Sequence, residues 1–312
     1  MGGNGKKHEW DDKAIVDVLE VKDRHRESED LEGMQDILES VILKTSHLPL
    51  EFIQNAEDEE SLSVGFHLYD SALLIYNDGN PFRIENDRND IKGFCSIGVS
   101  QKYKKGIGFL GVGSKTVFTI TKKPWVVSGN YNFTVENMLY PTPQHKFPPF
   151  SYPIRRKLED FPQRGAIFFS PLIPRKDGKR DADELRGILG NLDQSVIMFL
   201  DSVKTVEIID LRANGSAVNF TQSPKEFYVE DDIMRLGAFT CKKVQISSER
   251  TDGSKKGEVT TSDWIIGSLN IRISDKAKKN LPPSKLYDKK RASEMTRVSV
   301  AIPLNGGGEE RL

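Results

Sequence analysis

The sequence predicts an α/β fold, a two-layer sandwich in which a mixed, mostly antiparallel sheet is covered by helices on one face, followed by a smaller β-rich unit. Three observations carry this. Apolar residues recur at helical spacing through most of positions 11–58; strand-like and helical runs then alternate as far as position 200; beyond that the chain reads as strand after strand. The expected division is 1–201 and 202–312, and 312 residues leave room for two packed cores.

Positions 11–26 and 31–46 predict two opening helices, the second with Ile37, Leu38, Val41 and Ile42 on one stripe. A third begins near Leu48, with Leu50, Ile53 and Ala56 toward a core. In it Glu51, Asn55 and Asp58 fall at i, i+4 and i+7, so they line a neighbouring stripe of the same helix. Positions 62–69 and 72–76 predict two strands joined by a tight turn at Asp70-Ser71, the second running into Asn77-Asp78-Gly79. From 82 to 105 the pattern is weak and polar, a loop or loose helix ending in the glycine-dense run Gly106-Ile107-Gly108-Phe109-Leu110-Gly111-Val112-Gly113. A short helix over 116–121 precedes strands at 125–127 and 131–135, and the proline-rich 141–153 reads as a surface excursion. Positions 164–169 return to a strand. One helix is expected over 182–200, with Leu185, Ile188, Leu189, Leu192, Val196 and Phe199 on its inner side. Strands follow at 205–211, 216–221, 239–249, 260–273 and 297–304.

Composition narrows the function classes. A net charge of −1, from 45 Lys+Arg against 46 Asp+Glu, gives no global electrostatic reason for a nucleic-acid or anionic-membrane partner. No run approaches the ~18 apolar residues that a membrane helix needs. With only Cys95 and Cys241 there is neither a disulfide framework nor a zinc-holding cluster, and both are expected to be buried or inert thiols. The start lacks the apolar stretch of a secretory signal, so a cytoplasmic location is expected. The five histidines are scattered without metal-ligand spacing.

Helix stripe, strand end and glycine run each answer one need of a nucleotide. A triphosphate is best met by backbone N–H groups in a glycine-rich turn leading into a helix, where no Cβ blocks approach; Gly106, Gly108, Gly111, Val112, Gly113 and Ser114 occupy that position. Magnesium takes oxygen ligands and keeps several waters, so one neutral amide oxygen, that of Asn55, suits it. A carboxylate one turn away, Glu51, is placed to orient or deprotonate the attacking water. Asp78 is placed to accept a hydrogen bond from an adenine amino group, with Gly79 letting the base lie against the backbone. Lys102 and Lys115 would neutralise phosphate charge, although a lysine beside a glycine loop is also commonly a plain surface residue. Asp58 either binds through water or caps local backbone groups. Taken alone, the helix stripe is what any solvated charged face offers; the order of the three parts makes it specific. Gly108 to Thr116 imitates a phosphate-binding P-loop, but Lys115 sits one position too late after Gly113 and no strand precedes the run.

The segments EFIQNAED, YNDGNPF, IKGFCSIGVSQK, GIGFLGVGSKTVF and RGAIFF resemble, in that order, the N box, G1 box, lid start, G2 box and G3 box of the GHKL, or Bergerat-fold, ATPases. The wording FCSIGVSQK and FLDSVKTVEI is most similar to the sacsin-type N-terminal ATP-binding domain. This resemblance spans 31–211 and is weak beyond. It implies a Bergerat sandwich with Glu51 as catalytic base, Asn55 as magnesium ligand, Asp78 as adenine reader, the glycines of 106–113 around the phosphates, and 100–105, with Lys102, in a lid. It also implies slow magnesium-dependent ATP hydrolysis that drives lid closure, as the switch domain of a larger chaperone-like protein from which this piece is cut. ATP and ADP, other domains of the same protein and a dimer partner are the implied partners. Two alternatives stay open: the ATPase or sensor of a prokaryotic defence or nucleic-acid-processing system, and a pseudo-ATPase scaffold. The G1 box here keeps a single glycine before Asn80 and Pro81, and Ala166 stands where relatives usually carry a hydroxyl.

Overall fold

The computed structural model describes residues 10–24, 45–85, 88–95, 113–148, 164–173, 181–211, 216–225, 239–252, 255–272 and 295–304. Its helices are α1 (Asp12–Arg24), α2 (Leu48–Asp58), α3 (Asp90–Phe94), α4 (Asp181–Gly190) and α5 (Ser195–Met198), with 3₁₀ segments at Thr45–His47 and Gly113–Thr119. The strands are β1 (Ser63–Leu68), β2 (Ala72–Asn77), β3 (Ile84–Glu85), β4 (Arg88–Asn89), β5 (Trp125–Ser128), β6 (Tyr131–Glu136), β7 (Tyr140–Pro143), β8 (Ala166–Pro171), β9 (Thr205–Asp210), β10 (Ser216–Lys225), β11 (Phe239–Asp252), β12 (Lys255–Arg272) and β13 (Met295–Leu304).

Eleven strands form one mixed sheet, in the order β13-β12-β11-β10-β9-β1-β2-β8-β5-β6-β7, and β3 and β4 pair separately. Every described pairing in it is antiparallel except β1 with β9, where Ser63 to Leu68 run beside Thr205 to Asp210. That parallel seam joins the strands of the first 201 residues to the long strands that follow, so the sheet is continuous across the expected division. The expected α/β architecture, a mixed sheet with helices on one face, is what forms.

Strand alternation places Val64, Phe66 and Leu68, Leu73 and Ile75, Phe168, Val206 and Ile208 on the helix side. There they bury with Ile15, Phe52, Ile53, Ala56, Leu185, Leu189 and Ile197. The opposite face of the central strands buries Leu74, Tyr76, Val127, Ile167 and Phe169, with Trp10, Tyr69 and Trp125 against them. Covered on both sides, β2 is buried at all six positions, which is why ALLIYN reads as a continuous apolar run and not an alternating one.

Three expectations are corrected. Leu50 points outward at 48% exposure, and Phe52 takes the inward place, edge-on to Phe168 at 4.9 Å between ring centres. The single helix over 182–200 is two: after Gly190 the chain turns, and the Asp193 carboxylate accepts the Ser195 N–H at 2.7 Å, starting a new turn. With that break Ile197 and Met198 turn inward, while Phe199 is 47% exposed. The start of the proline-rich excursion is strand β7, in which Pro141 pairs with Val135 and Pro143 with Phe133. It is an edge strand, where the missing N–H donors can face away from the sheet. The helix expected over 31–46 lies outside the described residues, apart from its end at Thr45–His47.

Candidate functional site

Helix α2 is started by Pro49 in its first turn, where the missing N–H is no loss, and is anchored by Leu48, Phe52, Ile53 and Ala56. Burying that stripe leaves Glu51, Asn55 and Asp58 half-buried along its flank. Their donor set is oxygen only, two carboxylates and an amide, which is the chemistry a small hard cation accepts.

The chain leaves α2 and comes back to it. The Asn80 N–H donates to the Glu59 carbonyl at 2.7 Å, pinning the turn after β2 to the end of the helix. Asn77 Oδ1 accepts from Ser61 Oγ and from the Gly79 N–H, both at 3.3 Å. Asp78 is held harder still: Oδ1 accepts the N–H groups of Leu62 and Ser63, and Oδ2 accepts the Ser63 hydroxyl, each at 2.8 Å. A carboxylate has about four acceptor positions. Three of those on Asp78 are filled and its orientation is fixed, so the remaining one, on Oδ2, points in a set direction.

Two glycines allow this closeness. A Cβ on Gly79 would lie 2.3 Å from Ser61 Oγ and 2.4 Å from the Glu59 carbonyl oxygen. Gly165, just before β8, has φ +83°, and a Cβ there would sit 1.9 Å from the Asn77 carbonyl oxygen. The Gly165 N–H donates to the Gly79 carbonyl at 2.5 Å. On its other side the buried Ser128 hydroxyl donates to the Gly165 carbonyl at 2.6 Å and accepts the Phe82 N–H at 2.9 Å.

The 3₁₀ segment Gly113–Thr119 packs against α2, so Gly113 and Ser114 are carried on an element that touches the helix bearing Glu51 and Asn55. Lys115 is not the surface residue that was one expectation for it. It is fully buried, with Nζ donating to the Met138 carbonyl at 3.3 Å and lying 5.0 Å from the centre of the Phe94 ring and 5.8 Å from that of Phe118. Lys102, Gly106, Gly108, Gly111 and Val112 lie outside the described residues. Of the expected site, then, the Asp78-Gly79 turn and the segment from Gly113 onward each adjoin α2.

Several polar residues that organise this region were missed. Arg88 donates Nη2 to both oxygens of Glu59 at 2.9 Å, and Nε to both oxygens of Asp90 at 2.8 and 2.9 Å, tying the end of α2 to the start of α3. Glu57 holds the chain just before β9. On the far face of the sheet, Glu207 Oε1 accepts the Tyr76 hydroxyl at 2.6 Å and meets His67 Nε2 at 2.8 Å. Burial, then the charge and bond of Glu207, then the charge of Asp78 push the Tyr76 phenol far above its ordinary range, so it stays a donor. Gly65 leaves the room for that ring, since a Cβ there would be 2.1 Å from Tyr76 Cε1. One signal for the first two was available: Glu57-Asp58-Glu59-Glu60 ends a helix where the macrodipole disfavours negative charge, so such a run calls for donors elsewhere in the fold.

No family model matches the chain. Protein NO VEIN of Arabidopsis thaliana is 29% identical over 108 residues, 32% of this chain and 4% of that protein. Among solved structures, the ATPase region of Saccharomyces cerevisiae topoisomerase II is similar at a TM-score of 0.38 and 16% identity, covering 57% of this chain and 58% of that one. The ATPase and transducer domains of topoisomerase II from Balamuthia mandrillaris follow at 0.36 and 13%, covering 57% and 56%. The same yeast region bound to ICRF-187 (dexrazoxane) gives 0.38 and 14%, covering 74% and 59%. The chain thus spans less than two thirds of each of these proteins. No helix among the described residues is long and apolar enough to cross a membrane.

Proposed function

We propose that this chain is a Bergerat-type ATP-binding domain that hydrolyses ATP slowly with magnesium and serves as the nucleotide switch of a larger, sacsin-type chaperone-like protein. The observation that carries the reading is Asp78. A carboxylate clamped by two backbone N–H groups and a hydroxyl, with one acceptor position left, is pre-organised for a single donor such as the adenine amino group. Gly165 and Gly79 bring the backbone close behind it, and the Glu51, Asn55 and Asp58 stripe runs along the adjoining helix.

In this reading each residue has a limited task. Asp78 orients the purine. Asn55 offers its amide oxygen to magnesium, which when bound offsets phosphate charge and polarises the terminal phosphoryl group. Glu51, one turn earlier, accepts a proton from the attacking water or fixes its direction. Gly106 to Gly113 supply N–H groups to the phosphates and Lys102 acts from the lid; ordering of the lid by the terminal phosphate, and its release on hydrolysis, is the switch. The buried Lys115 ammonium lies against Phe94 and Phe118 and donates to the Met138 carbonyl.

Glu51→Ala tests the assignment. It should keep saturable binding of magnesium ATP while turnover falls by about 10²–10⁴-fold, the usual worth of a general base. Turnover equal to wild type would remove Glu51 from the role. Binding without any turnover in the wild type would leave a scaffold in place of an enzyme.

A further inference from the structure

Residues 199–204 connect α5 to β9 and gather bonds from both halves of the sheet. Glu57, in the last turn of α2, reaches across and presents its carboxylate to three successive backbone donors. Oε1 accepts the N–H of Asp201 at 2.7 Å and of Ser202 at 3.0 Å; Oε2 accepts Ser202 at 3.0 Å and Val203 at 2.9 Å. Consecutive N–H groups converging on one anion form a nest, and a charged acceptor makes such bonds about twice as strong as neutral ones. An acidic residue at a helix C-terminus is otherwise unfavourable, so the position makes sense only with this partner.

The same short stretch is stitched to Asp78 by a second route. Asp78 Oδ1 accepts the Leu62 N–H, and the Leu62 carbonyl accepts the N–H groups of Lys204 at 2.8 Å and Thr205 at 3.1 Å. Onward bonds leave in the other direction. The Gln222 N–H of β10 donates to the Lys204 carbonyl at 2.7 Å, and Lys204 Nζ donates to Gln222 Oε1 at 3.1 Å. Lys242 of β11 donates to Asp201 Oδ1 at 3.0 Å and to the Leu200 carbonyl at 3.3 Å. α2 and the Asp78 turn are therefore both bonded to the 201–205 stretch, which is bonded in turn to β10 and β11.

We propose that Glu57 is the positioning residue that makes the order of β9 and β10 depend on nucleotide at α2 and Asp78. This rests on the function proposed above and adds how its signal leaves the site. Nucleotide that steadies α2 steadies the nest; without the Glu57 carboxylate the helix is steadied alone. The coupling is energetic, between two elements that share one carboxylate, and requires no large movement.

Hydrogen exchange of the full chain, with and without a non-hydrolysable ATP analogue plus magnesium, tests this in wild type and Glu57→Gln. In the wild type the analogue should slow exchange both in 48–58 and in 201–225. In Glu57→Gln analogue affinity should stay within about threefold while the analogue-dependent slowing across 201–225 drops about tenfold, a common size for coupling between sites. A merely structural role for Glu57 would change exchange equally in the free and bound forms. Glu57→Asp, which withdraws the charge by one methylene, carries the same comparison if Glu57→Gln melts too low. Equal analogue-dependent slowing in variant and wild type overturns the inference, as does slowing of 48–58 alone in the wild type. An analogue that binds nowhere changes exchange nowhere, which overturns the function reading and this inference with it.

Discussion

Gly165 carries more of the site than its size suggests. Its φ of +83° and the 1.9 Å gap between a notional Cβ and the Asn77 carbonyl leave no room for another residue. Gly165→Ala should lower stability by about 3 kcal/mol or more, from left-handed strain plus displacement of the Asn77-Asp78 backbone. A melting curve unchanged from wild type would show that the turn is not packed this tightly. Ser128 bridges the Phe82 N–H and the Gly165 carbonyl from a buried position. Ser128→Ala strands both groups and should cost about 1–3 kcal/mol in denaturant unfolding; no change would mean that water replaces the hydroxyl. The residue types of the site were legible: Asp78 and Gly79 at a strand end and the Glu51, Asn55, Asp58 stripe all stand where the spacing put them. What they touch was not. Nothing local indicates that the three donors to Asp78 come from Leu62 and Ser63, or that the ammonium of Lys115 is enclosed by Phe94 and Phe118, because those contacts are made across the fold.

Amphipathic spacing located α1, α2 and the α4–α5 region but not the five-residue α3, and it misjudged α2 by one stripe. Leu50 and Phe52 are both apolar, and periodicity cannot say which side of a short helix meets the sheet; the ring of Phe168 decides it for Phe52. Phe52→Ala should destabilise by about 3–5 kcal/mol, as loss of a fully enclosed aromatic does, whereas Leu50→Ala should cost under about 1 kcal/mol. The reverse order would restore the original expectation. The break between α4 and α5 was hidden because Leu192 and Val196 remain partly buried against the core on either side of it, so the apolar pattern runs through the turn. Arg88 acts at the same scale, joining the end of α2 to α3 through Glu59 and Asp90. Its removal takes a guanidinium from two largely buried carboxylates, and Arg88→Ala should cost about 1–3 kcal/mol in thermal or denaturant melts.

At the scale of the whole molecule the sheet does not stop where the composition changes. Helical content falls away after α5, where a smaller β-rich unit was expected to begin, and β9 pairs in parallel with β1 and carries the ladder on to β13. A parallel neighbour 142 positions away leaves no local trace, so the seam could not be foreseen. It matters because Asp78, Leu62 and the start of β9 form one hydrogen-bonded path across it. The account as a whole depends on Asp78 reading a purine, and Asp78→Asn isolates that act. The amide oxygen can still accept the Leu62 and Ser63 N–H groups, and its NH₂ can donate to the Ser63 hydroxyl, so the turn survives while the last acceptor becomes a donor. Calorimetric titration of wild type and Asp78→Asn with ATP in magnesium is the direct measurement. Saturable binding by the wild type and none by the variant, with melting preserved, is predicted; equal affinity for both, or no binding by the wild type, would contradict it.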